Sequence, residues 1–461
     1  MGSLRRELAE ALGELERARE RIAELEARLA QSPRNSSRPP SSEGLEKPPP
    51  RKRSLRTRSG RRPGGQDGHK GTTLAQVARP DREVRHEPGA CAGCGADLAG
   101  RPVTGVERRQ VFDLPPVRAE VTEHQLVERE CGCGRRTRAA APPGAEAPAC
   151  YGPRAAAIII YLYIGQFLSK NRTAQALAEL FGVPVSSGTV AAIAGRAARK
   201  LDGFLEHVRG QIVGSEVAGF DETGFRVDGR LHWVHCARTG KYTLLRVHRR
   251  RGRQAIEAMN VLPCFTGVAV RDAWAPYDAY PGAGHQLCCA HALRELQAVT
   301  DAAPAGEWCW ASQAAEAITA MQQLVRQAIS RGQPAAAPDA LDKQVTRYHS
   351  AALIGAAQTR ARHGTLMRKH NALARRLLDR QDDYLRFTRD FRVPAENNGC
   401  ERDIRMVKLK QKVSGCLRTL AGAQLFCAIR SYLSTAAKHD VSFFDALLML
   451  TSGRPWIPDP A

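Results

Sequence analysis

Residues 31–75 divide this chain into parts that must fold separately. The stretch is built of Pro, Ser, Gly and Arg with almost no large apolar side chains, so it cannot bury enough surface to offset the entropy of ordering it. It also carries eleven Lys or Arg against three acids. The densest part, Arg51 to Arg62 and within it Arg51, Lys52 and Arg53, reads as a basic arm that contacts DNA phosphates without reading sequence. A solvated linker has the same composition, and the two roles are compatible. The basic excess extends beyond this stretch, since the 461 residues have a formal net charge of +22. A soluble chain so charged points to a polyanionic partner, because each Lys or Arg that neutralises a phosphate releases a condensed counterion.

Upstream of the linker, Leu4, Leu8, Ala11, Leu15, Ala18, Ile22, Leu25 and Leu29 recur at alternating steps of four and three, with Glu and Arg between them. Residues 1–30 are therefore expected to form a coiled coil that joins protomers. The alternative is an amphipathic helix packed on its own protein, but the linker separates this one from any core. Downstream, residues 76–150 hold Cys91-Ala92-Gly93-Cys94 and Cys131-Gly132-Cys133 on either side of a strand-like alternation from Val111 to Val127. Two close cysteine pairs on Gly-containing turns suit four thiolates around a structural zinc ion, with His86 an alternative ligand. The longest apolar run, Ala155 to Leu168, is too short to span a bilayer and reads as a buried helix. No export signal is evident, so the thirteen cysteines are expected as reduced thiols in a cytoplasmic protein.

Residues 151–205 have a helical pattern. An amphipathic helix over Thr173 to Phe181 is broken by Gly182-Val183-Pro184, and Ser187 or Thr189 is placed to cap a second helix that carries Arg196, Arg199 and Lys200. A helix-turn-helix DNA reader needs this arrangement, and any helical hairpin shares it.

From residue 206 the period changes to that of strands. Glu216 to Val227 reads as a strand with a turn at Thr223-Gly224, which leaves Asp221 at a strand end. A meander follows: Gly229-Arg230 turns into Leu231 to Ala237, Thr239-Gly240 turns into Tyr242 to Val247, and a basic loop, His248 to Arg253, leads to a short helix. The apolar strand Thr266 to Val270 delivers Asp272, Tyr277 to Tyr280 is helix-like, and a strand over Gln286 to Cys289 enters a helix with His291, Arg294 and Glu295. After a mostly helical stretch over residues 301–390, a helix starting near Asn397 carries Glu401 and turns Arg405, Lys408 and Lys412 to one side, where they are placed to meet DNA phosphates. Two strand-borne aspartates and a helix-borne glutamate can hold two divalent metals about 3.5–4 Å apart, which is a phosphodiester-cleaving arrangement. Glu396 is a rival for Glu401 and Asp278 for Asp272. Cys288, Cys289 and His291 offer a second metal set, against which stands a buried strand running into a helix N-terminus.

The ordered set FDETGFRVDGR, VRDAWAPYDAY, LCCAHALREL and ENNGCERDIRMVKLKQKVSG resembles the transposases of the insertion-sequence-66 family over nearly the whole chain. Glu396 stands where the family often has Asp, and Cys289 where it often has Trp. The resemblance implies a bacterial, nucleoid-associated DNA transposase with an Asp-Asp-Glu site on a ribonuclease-H-like fold. Asp221, Asp272 and Glu401 would then bind two magnesium or manganese ions, and Cys91, Cys94, Cys131 and Cys133 a zinc ion. Its partners would be the double-stranded DNA of element ends and target, further copies of itself, and accessory proteins of the element, with no membrane. The expected architecture is multidomain α/β: coiled coil 1–30, disordered basic linker 31–75, zinc module 76–150, helix-turn-helix region 151–205, catalytic core 206–415 with a helical insertion over about 300–390, and a helical C-terminal region 416–461. A DNA-binding regulator without catalysis and a structure-specific nuclease are the competing functions.

Overall fold

A computed structural model of the chain describes residues 2–29, 74–304, 306–360 and 364–459. Arg51, Lys52 and Arg53 lie outside the described residues. The chain separates into two compact units, one of residues 48–120 and one of residues 1–47 with 121–461.

In the smaller unit, residues 76–78 and 108–110 are held together by side-chain amides. Gln76 Nε2 donates to the Arg108 carbonyl at 2.7 Å, and the Val77 N–H donates to Gln110 Oε1 at 2.8 Å. A tight turn over Ala90 to Asp97 holds the first cysteine pair. The alternation from Val111 to Val127 does not form a strand. These residues have no regular structure, and side chains such as Val111 are as much as 93% exposed, so no partner face pairs with their apolar positions.

The larger unit opens with helix α1 (Gly2–Leu29) and a small hairpin of β1 (Glu128–Glu130) and β2 (Arg136–Arg138) around the second cysteine pair. Helices α2 (Pro153–Ile160), α3 (Lys170–Phe181), α4 (Ser187–Arg199) and α5 (Asp202–Val213) follow. The apolar run after Ala155 is helical as expected, but it passes into a π-helical turn at Tyr161–Gly165 and stops at Phe167, whose φ is 62°. Helix α3 ends on Gly182 in the left-handed conformation. The cap of α4 is Ser186, one residue before the expected Ser187; its extended backbone lets Oγ accept the Thr189 N–H at 3.0 Å.

Strands β3 (Val217–Val227), β4 (Arg230–Arg238), β5 (Thr243–His248), β6 (Val268–Arg271) and β7 (Gly284–Leu287) form one sheet in the order β5-β4-β3-β6-β7. The β3–β4 and β4–β5 pairs are antiparallel, and the β3–β6 and β6–β7 pairs are parallel. Helix α6 (Arg253–Met259) makes the crossover that parallel pairing requires. The expected turn at Thr223-Gly224 is absent: β3 pairs with β4 without a break as far as Val227↔Arg230. Asp228 and Gly229 make the turn, with φ of 50° and 70°, as a two-residue hairpin of right-handed twist demands. Gly224 serves packing, because a Cβ there would stand 3.1 Å from Leu231. The strand β7 also ends earlier than expected, at Leu287, with Cys288 capping the next helix and Cys289 inside it.

Helices α7 (Cys289–Asp301), α8 (Trp310–Ser330), α9 (Pro338–Arg360), α10 (Thr365–Asp379) and α11 (Gln381–Leu385) enclose a second core around Leu296, Ile318, Tyr348 and Leu377. Helix α12 (Asn398–Ser414) returns to the sheet, and α13 (Leu420–Lys438) and α14 (Phe443–Thr451) pack with α2–α5 and the sheet in the main core. The contact of α8 with α9 depends on a missing side chain, since a Cβ on Gly355 would lie 2.4 Å from the Trp310 indole. Gly355→Ala should therefore lower stability by about 1–3 kcal/mol in urea unfolding. Gly203→Ala on α5, where a Cβ meets nothing within 4 Å, should be neutral or slightly stabilising.

Candidate active site

Helix α12 starts hard against β3, and the residues at its first turn decide how closely. Asn397 Nδ2 donates to the Phe220 carbonyl at 2.7 Å, and its backbone N–H donates to Cys288 Sγ at 3.2 Å. A Cβ on Gly219 would stand 2.8 Å from Asn397 Oδ1 and 2.9 Å from Cys400 Sγ, so only glycine admits the helix here. One turn further, Asp403 Oδ2 accepts from Arg238 Nε at 2.9 Å, Thr243 Oγ1 at 2.9 Å and Lys438 Nζ at 3.0 Å. This largely buried network fixes α12 to β4, β5 and α13, and it sets Glu401 in the first helical turn, where the helix dipole favours a carboxylate.

Asp221 is mid-strand for β4 but beyond the strand end for β6. The parallel register closes with Gly219↔Val270, and two residues further on it brings Asp221 level with Asp272. Burial pushes the Asp221 carboxyl well above its ordinary pKa, and the nearby charges of Glu222, Asp272 and Glu401 push the same way. Its hydrogen bond is from the Glu222 N–H at 2.9 Å. Asp272 Oδ1 accepts the Trp274 N–H at 3.0 Å, and Glu401 Oε1 accepts from Arg294 Nη2 on α7 at 3.2 Å. The structure thus draws Asp221, Asp272 and Glu401 into one electrostatic neighbourhood.

Glu222 was not foreseen. It is the fourth carboxylate of this neighbourhood, with a side chain 1% exposed. Arg251 Nε and Nη2 reach its Oε1 at 2.8 and 2.6 Å, and the Tyr277 hydroxyl donates to its Oε2 at 2.6 Å. Burial and Asp272 still raise its pKa above the ordinary value. The one sequence signal was adjacency to Asp221; its partners are 29 and 55 residues away. Arg294 and His291, both on α7, also face the site. Burial, then Arg294, lowers the His291 pKa against the pull of Asp272 and Glu401, and its Nδ1 has no hydrogen-bond partner among the described residues.

The rival carboxylates have other partners. Asp278 is bonded to Arg271 and, at 2.8 Å, to Arg380 Nη1; burial works against its ionisation, but the two guanidinium groups outweigh it and lower its pKa. Glu396 accepts a hydrogen bond from the Asn398 side chain. Cys288 and Cys289 are buried, and burial pushes the Cys288 thiol up to about 11, which does not suit a metal-bound thiolate.

Among the described residues no three His, Cys, Asp or Glu side chains are grouped closely enough to hold a metal ion, so neither the three carboxylates nor the two cysteine pairs form a ready ligand set. The donor chemistry nevertheless suits a divalent cation. Asp221 is half-buried among three other carboxylates, while Arg251 and Arg294 engage Glu222 and Glu401 and leave Asp221 without a cationic partner among the described residues.

The expected DNA-contacting side chains lie elsewhere on the surface. Arg196, Arg199 and Lys200 are exposed at the C-terminal end of α4. Arg405 and Lys412 are exposed on α12, whereas Lys408 is half-buried with Nζ bonded to the Gly224 carbonyl. Each cysteine pair forms a knuckle. Gly95 donates to the Cys91 carbonyl at 2.8 Å, and N–H groups of Cys94 and Gly93 directed at the Cys91 sulfur lower its pKa. Gly134 donates to the Cys131 carbonyl at 2.8 Å, and the Cys133 N–H does the same for the Cys131 sulfur.

A family model described as Transposase IS66 family matches residues 148–425. The chain belongs to that family. A model for the zinc-finger binding domain of transposase IS66 matches residues 88–134, which include all four cysteines of the two knuckles. Residues 3–75 match a family of unknown function. No curated protein matches this IS66-family chain. Among its described residues no helix is long and apolar enough to cross a membrane.

Folding raises the proton affinity of Asp221 above its unfolded value of about 3.9. The metal-free native state therefore loses relative stability as pH rises through that raised pKa. Asp221→Asn should melt higher than the wild type at neutral pH without divalent metal, and the gap should close toward acid pH, as read by calorimetry.

Proposed function

We propose that this IS66-family chain cuts the ends of an insertion sequence and joins them to target DNA, with Asp221, Asp272 and Glu401 as its catalytic carboxylates. The observation that carries this is the shared field of these three side chains, brought together from β3, the end of β6 and the first turn of α12. A sheet of three antiparallel strands continued by two parallel ones supports a ribonuclease-H-like core over residues 206–415, with α8–α11 as its helical insertion.

Asp221, Asp272 and Glu401 would hold two magnesium or manganese ions, whose chemistry would be activation of the attacking oxygen and stabilisation of the leaving one. The chain's own groups orient the carboxylates: the Glu222 N–H fixes Asp221, the Trp274 N–H fixes Asp272, and Arg294 fixes Glu401. In the first step an oxygen of water bonds to phosphorus at the element end and the P–O3′ bond breaks, leaving a 3′ hydroxyl. In the second, that hydroxyl attacks a target phosphate, and the target strand's own 3′ oxygen leaves. Arg405 and Lys412 take phosphates beside the site, and Lys408 joins them by leaving the Gly224 carbonyl.

The basic arm with Arg51, Lys52 and Arg53, the zinc module, and α4 with Arg196, Arg199 and Lys200 hold the inverted repeats. Here α3 and α4 act as the helix-turn-helix. Helix α1 pairs protomers, in keeping with Leu8, Leu15, Ile22, Leu25 and Leu29, which are 42–86% exposed. The protein works in the bacterial cytoplasm on the nucleoid, alone or with accessory proteins of its element.

Asp221→Asn should abolish end cleavage and strand transfer in a plasmid assay while end binding stays near the wild-type level. Joining at the wild-type rate would overturn the assignment, and cleavage without any joined product would favour a nuclease. Metal analysis of the purified chain should find one zinc per chain. Cys94→Ser should lose it and weaken end binding, leaving the melting of the helix-rich unit unchanged.

A further inference from the structure

The loop His248–Arg253 between β5 and α6 reads His-Arg-Arg-Arg-Gly-Arg, and one of its arginines points inward. The Arg251 guanidinium is wedged between two indoles, 4.8 Å from the Trp233 ring centroid and 4.2 Å from that of Trp274. From that slot it bonds Glu222, whose second oxygen is taken by Tyr277. The anchor and one wall of the slot belong to the carboxylate neighbourhood. Glu222 follows Asp221 on β3, and Trp274 donates its N–H to Asp272. A planar guanidinium stacks flat between two aromatic faces while its fixed fork of N–H groups reaches a carboxylate; an ammonium group has neither the flat face nor the fork.

The rest of the loop is shaped around this anchor. The Arg250 N–H donates to His248 Nδ1 at 3.0 Å and closes the turn. Beneath it the buried imidazole of His235 faces the Arg250 backbone, and burial pushes its pKa down to about 4, so the seat is uncharged at neutral pH. Arg249 and Arg250 are exposed, and neither has a carboxylate partner among the described residues. A loop that only needed solubility would not stack a third, half-exposed arginine between two indoles and bond it to a buried carboxylate beside two free ones.

We propose that loop 248–253 is a clamp for DNA backbone phosphates flanking the scissile position. Arg249 and Arg250 make the contacts, and Arg251 is the positioning residue that seats them. The proposal rests on the reading of Asp221, Asp272 and Glu401 as the cleavage site.

The test measures binding of the full-length protein to a fluorescein-labelled random-sequence duplex, without divalent metal, over a series of salt concentrations. Each lost phosphate contact should make the slope of log K against log salt shallower by about 0.9, so R249A/R250A should lose about 2. R249K/R250K should keep the wild-type slope. Arg251→Lys preserves every charge on the loop but not its seat, and it should also make the slope shallower while the protein melts as a folded chain. An unchanged slope in R249A/R250A overturns the clamp, and an unchanged slope in folded Arg251→Lys overturns the anchoring role. Asp221→Asn should bind with the wild-type slope. If it still cleaves, the carboxylate reading fails by itself, which separates that failure from failure of the loop.

Discussion

The seating of α12 on β3 is the contact on which the candidate site depends. Glu401 is 180 residues downstream of Asp221 in the chain, and what brings it back is a short polar anchor. The Asn397 amide bonds the Phe220 carbonyl over a glycine that leaves room for it, and one turn later Asp403 gathers three donors from the sheet and α13. Such a network is costly if only partly satisfied, because each orphaned polar group in a dry environment costs about 1–3 kcal/mol. Asp403 has all three donors, so the helix has one favoured position, and its first turn presents Glu401 where Asp221 feels it.

The same convergence works against stability. Four carboxylates, from Glu222 with its buried side chain to partly exposed Glu401, share one neighbourhood, and two arginines answer two of them. The Glu222 cluster offsets part of this: a guanidinium held between two indoles and a buried phenol pin one negative charge that would otherwise repel freely. Asp221 is left with its raised proton affinity. Stored electrostatic cost of this kind is typical of places built to receive a charged ligand, although purely structural ion networks also perturb pKa values. Here the uncompensated sign is negative and the donors are hard oxygens, which matches a divalent cation and mismatches a soft metal.

Much of this order can be read locally in the sequence. The meander, the helix ending at Phe181, although it starts at Lys170 and not Thr173, the helical stretch after residue 301 and the start of α12 all follow from period and punctuation. What was misread turned on partners that sequence does not reveal. Gly224 has the composition of a turn and sits in a strand, because Leu231 and Trp233 need its empty space. The turn expected at Gly229-Arg230 sits one residue earlier, at Asp228-Gly229, directly before β4. Val111 to Val127 alternates like a strand but has no face to pair with. In the site, Asp221, Asp272 and Glu401 were legible as an ordered set, whereas Glu222 was hidden as the neighbour of a more conspicuous acid, and Arg251 as one of several arginines in a loop. Their roles depend on long-range contacts with Tyr277, Trp233 and Trp274, which no local pattern encodes.

The helical segment α7–α11 bears on how that site tolerates change. It leaves the sheet at α7 and returns before α12, and its two ends are joined: the Cys289 N–H donates to the Ala395 carbonyl at 2.9 Å, and the Asn397 N–H donates to Cys288 Sγ. A second tie lies beside the first. Gln286 on β7 donates to the Tyr384 carbonyl at 3.0 Å and accepts the Phe387 N–H at 3.0 Å. The chain between these points is therefore closed off at its neck, with its own core around Tyr348 and Leu377. Changes of length or sequence farther out in α8–α10 reach the spacing of Asp272 and Glu401 through this neck and through two ion pairs, Arg376 with Glu295 on α7 and Arg380 with Asp278. Because α7 also supplies Arg294 to Glu401, the geometry of the carboxylates depends on the sheet, α12 and α7 together.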